Sequence, residues 1–285
     1  MGSAAFVVGT LLAGQAAGGY GLSAIIRLSA TALLATPIAA SFVPPFPAKA
    51  ARDNSNGDIP RRPWLTLIRQ RAFVRVTVVA ALVLGSHATY DSFAVIRWTQ
   101  AGISSATVGV LWAESVAAEV VVFLFLGPRL LRAVTPTVAL ALAASCGLVR
   151  WAVMAQTADV AALALVQPLH GFTFALLHLA SMRIITDTQA VYGLVGVGGA
   201  TAVLMLLSGW LYARFGPAGF WAMGALCTAA FPGIWLLHRA LASFAAAPSS
   251  ARVLTGALRQ RGRHLGCAAA ERARPAPRRF CSWPV

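Results

Sequence analysis

Acidic side chains are scarce in this sequence, eight Asp and Glu among 285 residues, and charged residues of both signs reach only 11%. A soluble globular domain carries about a quarter charged residues. This chain therefore cannot cover a water-facing surface. Cysteine is equally sparse. Cys146 and Cys227 fall in apolar runs, Cys267 and Cys281 near the C-terminal end, and none has metal-ligand spacing, so there is no disulfide or zinc signal. Gly-x-Ser-x-Gly, His-Glu-x-x-His and any phosphate-cradling glycine loop are also missing, which leaves hydrolysis and ATP coupling without support and points away from an enzyme.

What is abundant is apolar: 58% of residues, with a mean hydropathy of +0.73. The apolar residues come in long unbroken runs rather than the weak alternating segments of a membrane β-barrel. The expected fold is an all-α polytopic membrane bundle. Since a spanning helix needs about 20 mostly apolar residues, eight spans are expected at 2–18, 22–43, 73–93, 106–127, 134–155, 160–182, 190–212 and 217–238. The first is Gly/Ala-rich and lacks the basic n-region of a cleaved signal peptide.

A formal charge of +15 and a pI near 11.5 would suggest nucleic acid in a soluble protein, but the charge is concentrated at one end. From Ala242 to Val285 eight arginines face one glutamate, supplying +7 of the total. No nucleic-acid partner is expected; the lipid bilayer is. This Ala/Arg/Pro tail, 242–285, reads as disordered. Between Pro44 and Arg71 the composition also shifts, with Lys49, Arg52, Asp53, Asp58, Arg61, Arg62 and Arg69, giving an aqueous linker at 44–72. Basic short loops stay cytoplasmic. Linker and tail are thus placed inside, the chain is assigned to the cell inner membrane, and Arg97, Asp159 and Arg214 mark outer connections. Two helices (1–43), a linker and six helices (73–241) form the expected domain plan. Six is the size of one half of a twelve-helix transporter, so the front pair reads as the last two helices of a first half whose opening four are absent.

Ionisable residues inside spans cost about 2.5–3.5 kcal/mol each on insertion and are functional candidates by default. They are His87 and Asp91 in the third span, Glu114 and Glu119 in the fourth, Arg150 in the fifth, and His170 and His178 in the sixth. Glu119 and His170 lie near mid-span, and both side-chain types can exchange protons as their surroundings alternate between wet and dry. Glu114 and Glu119 are about 140° apart around a helix, so only one can face a cavity, and Glu119 is favoured. A buried Arg150 calls for a carboxylate such as Glu119, Glu114 or Asp91. His87 and Asp91 share a face at i, i+4, with Tyr90 beside them as a candidate substrate contact. His178 is read as structural. Histidines on facing helices are one way to hold haem, but nothing else supports redox work and no cofactor is expected. The glycines and alanines of the seventh span, Gly193 to Gly209, are read mainly as packing.

The stretch Leu111-Trp112-Ala113-Glu114-Ser115-Val116-Ala117-Ala118-Glu119-Val120, then Gly127-Pro128-Arg129 and Leu148-Val149-Arg150-Trp151, resembles the eighth and ninth helices of the phenylpropionate permease group of the major facilitator superfamily. Gln167-Pro168-Leu169-His170-Gly171-Phe172-Thr173-Phe174-Ala175 resembles its tenth-helix signature, and Gln189-Ala190-Val191-Tyr192-Gly193-Leu194 its eleventh helix. The resemblance covers about residues 2–240 and numbers the spans as helices five to twelve. It implies secondary transport, with the lactose permease and nucleoside symporters more distant. In the lactose permease a tenth-helix histidine and a ninth-helix arginine belong to the proton-coupling network, and His170 and Arg150 fall at those positions. The lysine one turn before that histidine is Gln167 here, and the acid one turn after it is Thr173. Gly127-Pro128-Arg129-Leu130-Leu131-Arg132 is a worn form of the superfamily's Gly-x-x-x-Asp-Arg loop, without the acid.

The functional expectation is a secondary carrier moving a small organic solute with protons, the solute being an aromatic acid such as 3-phenylpropionate. Glu119 and His170 would exchange the proton, Arg150 would attract the anion or hold Glu119, and Tyr90 and Trp112 would line the aromatic site. The competing expectation is a non-transporting truncated membrane protein.

Overall fold

The computed structural model describes residues 2–42, 70–185 and 191–246. Most of the expected linker 44–72 and of the tail 242–285 lies outside them; the described ends of both, Arg71 and Ala72 on one side and 242–246 on the other, are helical. Apart from residues 240–246, which belong to a second unit (Pro47–Arg61 with Ala240–Val285), everything described falls in one unit, Met1–Phe46 with Arg62–Arg239.

Eight helical stretches are described. They are α1 (Gly2–Tyr20), α2 (Leu22–Ser41), α3 (Arg71–Gln100), α4 (Ser105–Ala133), α5 (Pro136–Gln156), α6 (Val160–Ile184), α7 (192–215) and α8 (Gly219–Ala246). By length and composition α3, α4, α5, α6 and the joined stretch Tyr192–Ser243 can each cross a membrane, and Ser23–Ala39 is a shorter apolar helix. Leu165 and Leu206, at least 80% exposed, typify the apolar outer surface that lipid would cover.

The helix starts follow capping chemistry, in which a short polar side chain satisfies an orphan backbone N–H. Ser104 accepts from the Thr107 amide at α4, Thr135 from Val138 at α5, and Asp159 from Ala162 at α6. Gly216, at φ 54°, sits between α7 and α8 and lets the chain reverse there at no Cβ cost. The reversal is visible in the neighbours. Along α7, Gly196, Leu204 and Tyr212 meet Thr77, Gly85 and Phe93 of α3 in rising order, so these two run parallel. Along α8, Phe220, Cys227 and His238 meet Trp151, Gly147 and Thr137 of α5 in falling order. The 52-residue stretch therefore holds the two expected spans 190–212 and 217–238.

Three expected boundaries move. The eighth span, set to end at 238, continues as helix to Ala246. The third span was set to end at 93, yet α3 continues to Gln100, because Arg97 is buried by donating to the Thr157 carbonyl at 3.1 Å and lying over the Phe220 ring at 5.6 Å. The fourth was set to end at 127, whereas Gly127–Ala133 is helical. Arg129 and Arg132 there donate back to the Phe125 and Pro128 carbonyls, and Arg183 reaches the Leu131 carbonyl. The worn loop motif is thus the last turns of a helix.

Three π-helical stretches interrupt the bundle at Val122–Leu126, Phe172–Leu176 and Tyr192–Gly199. Such wide turns shift the side-chain register and recur at functional sites. Two of them begin just after Glu119 and His170.

Candidate functional site

Gly171 brings α4 and α6 together. A Cβ there would stand 2.7 Å from the Ala118 carbonyl oxygen, so only glycine allows the two backbones this close. The approach sets Nε2 of His170 at 3.6 Å from Oε2 of Glu119, just beyond direct hydrogen-bonding range.

Behind His170, Arg150 of α5 is fully buried. Its Nη1 donates to Nδ1 of His170 at 3.3 Å and its Nη2 to Oε1 of Gln167 at 3.1 Å. The guanidinium lies over the rings of Tyr90 at 4.3 Å and Trp151 at 4.7 Å. The expected carboxylate partner is not there: among the described residues no Asp or Glu oxygen comes within 4.0 Å of Arg150, and the one basic side chain that close to a carboxylate is His170, beside Glu119. Glutamine and aromatic faces took the place because they offer acceptor and π density without a desolvated carboxylate.

Gln167 orders this layer. Its Oε1 faces the guanidinium, so its Nε2 supplies both donors, to the Tyr90 hydroxyl at 2.9 Å and the Leu111 carbonyl at 3.0 Å. A guanidinium only donates, so Nδ1 of His170 is the acceptor and the ring proton resides on Nε2, directed at Glu119.

His87 is buried at a break in α3, where the helix is interrupted between Gly85 and Ala88, and does not pair with Asp91 through its ring. Its Nδ1 donates to the Val83 and Leu84 carbonyls, at 3.2 and 3.1 Å, and its Nε2 lies 3.0 Å from the Thr173 hydroxyl. Thr173 also reaches the His170 carbonyl at 3.1 Å. The hydroxyl has a single proton and can donate to only one of the two at a time. Neutral His87 accepts it; a protonated His87 donates instead, and the Thr173 proton turns to the His170 carbonyl. The His87 ring stands edge-on to those of His170 and Trp151, each at 5.2 Å between centroids.

A cavity of about 780 Å³ opens in front of this cluster. Five of the sequence candidates, His87, Asp91, Trp112, Glu119 and His170, line it together with Phe174. Asp91 is exposed on its wall, whereas Glu114 is not among the lining residues. Tyr90 and Arg150 are also outside the lining: Tyr90 is fully buried, stacked on Trp112 at 4.6 Å, and acts as backing. His178 packs against Phe123 and Tyr192, each at 6.1 Å, away from the cavity. Within the glycine-rich stretch, Gly196 packs on Thr77 while Gly198 and Ala202 face the cavity. Gln167 and Thr173 were noted in the sequence only as departures from a pattern. Their signal was polarity inside an apolar span beside His170.

Residues 2–223 match the MFS_1 like family. The chain belongs to that family. It is therefore a multi-pass α-helical membrane protein of major facilitator type. The "Probable 3-phenylpropionic acid transporter" of Escherichia coli (strain K12) is similar, 33% identical over 253 residues, covering 85% of this chain and 64% of that protein. The chain thus spans under two thirds of that relative's length. No solved structure matches this family member.

Proposed function

We propose that the cavity is the solute site of a proton-coupled secondary carrier for small organic acids, aromatic ones foremost, in the cell inner membrane with linker and tail cytoplasmic. Residues 1–43 act as the last two helices of the first half and 73–241 as the second half. The observation that carries this reading is the chain Arg150, His170, Glu119, linked at 3.3 and 3.6 Å, with its last two members on the cavity wall. A proton on Nδ1 of His170 is incompatible with the Arg150 contact, since both groups would then donate. Protonation therefore turns the ring away from Arg150 and strengthens its pull on Glu119. A site whose internal contacts change with one proton can couple that proton to movement of a solute.

The solute class follows from the walls. Trp112 and Phe174 offer ring faces, the latter stacked on His170 at 5.7 Å, and Arg150 supplies positive charge behind them. The name of the Escherichia coli relative supports an aryl carboxylate. The test is uptake of labelled 3-phenylpropionate by proteoliposomes of the full chain under an imposed pH gradient. Accumulation above protein-free liposomes, abolished by a protonophore, is expected; uptake no greater than in protein-free liposomes would overturn the proposal.

A further inference from the structure

Arg150 carries its charge through the bundle with an unusual set of neighbours. Its donors meet a histidine nitrogen and a glutamine oxygen, its faces meet two aromatic rings, and its Nε has no partner among the described residues. Asp91 and Glu119, the carboxylates of the cavity wall, both lie beyond 4.0 Å from it. Asp91 faces the cavity and makes no direct contact with the guanidinium. A buried cation without a carboxylate partner is costly. Gln167 is the residue that makes the arrangement possible. It occupies the place against the guanidinium that a carboxylate would fill, satisfies Nη2 as an acceptor, and contributes no charge.

We propose that Gln167 is a positioning residue that sets charge selectivity: by holding Arg150 unneutralised behind His170, it makes the cavity favour a carboxylate anion over a neutral solute of the same shape. The inference rests on the carrier reading above and deepens it. Arg150 is not on the wall, so it acts through its field, which a low-dielectric interior transmits well. The amide orientation is forced by its three contacts, and a glutamate in its place would pair with the guanidinium without a change of size.

The experiment uses the full chain in proteoliposomes at fixed pH, comparing 3-phenylpropionate with its neutral amide as competitors for uptake. In the wild type the carboxylate is expected to compete at least tenfold better than the amide. In Gln167→Glu the KM for the carboxylate should rise about tenfold, with the amide affected less than threefold, so the ratio collapses. A merely structural role would move both solutes together. If Gln167→Glu does not accumulate, the wild-type pair still decides: equal competition by amide and carboxylate overturns the inference. A carboxylate KM unchanged in a folded Gln167→Glu overturns it as well. Transport of neutral solutes alone would sink this inference and leave a carrier standing, whereas no protein-dependent uptake of any solute would sink the carrier reading itself.

Discussion

The Nη1 of Arg150 stands 3.3 Å from Nδ1 of His170, and because a guanidinium cannot accept, this contact defines the histidine as the Nε2–H tautomer facing Glu119. The rest of the site is arranged around that constraint. Gln167 holds the arginine, Tyr90 and Trp151 cover its faces, and Gly171 sets the distance to Glu119.

Gly171→Ala is expected to damage both stability and uptake. The added Cβ would lie 2.7 Å from a backbone oxygen of α4, an overpacking that costs about 1–3 kcal/mol and that pushes His170 away from Glu119. Gly209→Ala has nothing within 4 Å of its Cβ and should behave like wild type. Melting in detergent and uptake in vesicles check the pair.

Trp112 and Tyr90 separate wall from backing. Trp112→Ala should raise the KM for aryl carboxylates at least tenfold, since it removes a ring face of the cavity. Tyr90→Phe keeps the face under Arg150 and loses only the hydroxyl that accepts from Gln167. Its KM should change less than threefold. Uptake kinetics over a range of solute concentrations distinguish them.

The break in α3 has its own support. Trp151 donates from Nε1 to the Ser86 hydroxyl at 2.9 Å, and Cys227 lies 3.4 Å from the same oxygen. Trp151→Phe should cost about 0.5–1.5 kcal/mol, seen as a fall of about 1–6 °C in Tm. An unchanged Tm would mean that the bond contributes nothing.

The membrane class and the helices were readable because they depend on composition and run length. The angle between Glu114 and Glu119 was readable too, being a property of one helix. Tertiary choices were not. That Arg97 continues α3 depends on a carbonyl 60 residues away, and that His87 turns to its own helix's carbonyls depends on the break at Ser86. The sequence likewise held no sign that a glutamine, rather than a carboxylate, would meet Arg150. Sequence distance says nothing of which faces meet.

Proton coupling through the Glu119–His170 pair is tested most directly by the pH change outside cells or vesicles when solute is added. Wild-type protein should alkalinise the medium on addition of 3-phenylpropionate, while His170→Ala and Glu119→Gln should lose that signal and keep solute binding. Unchanged alkalinisation in both variants would contradict the assignment.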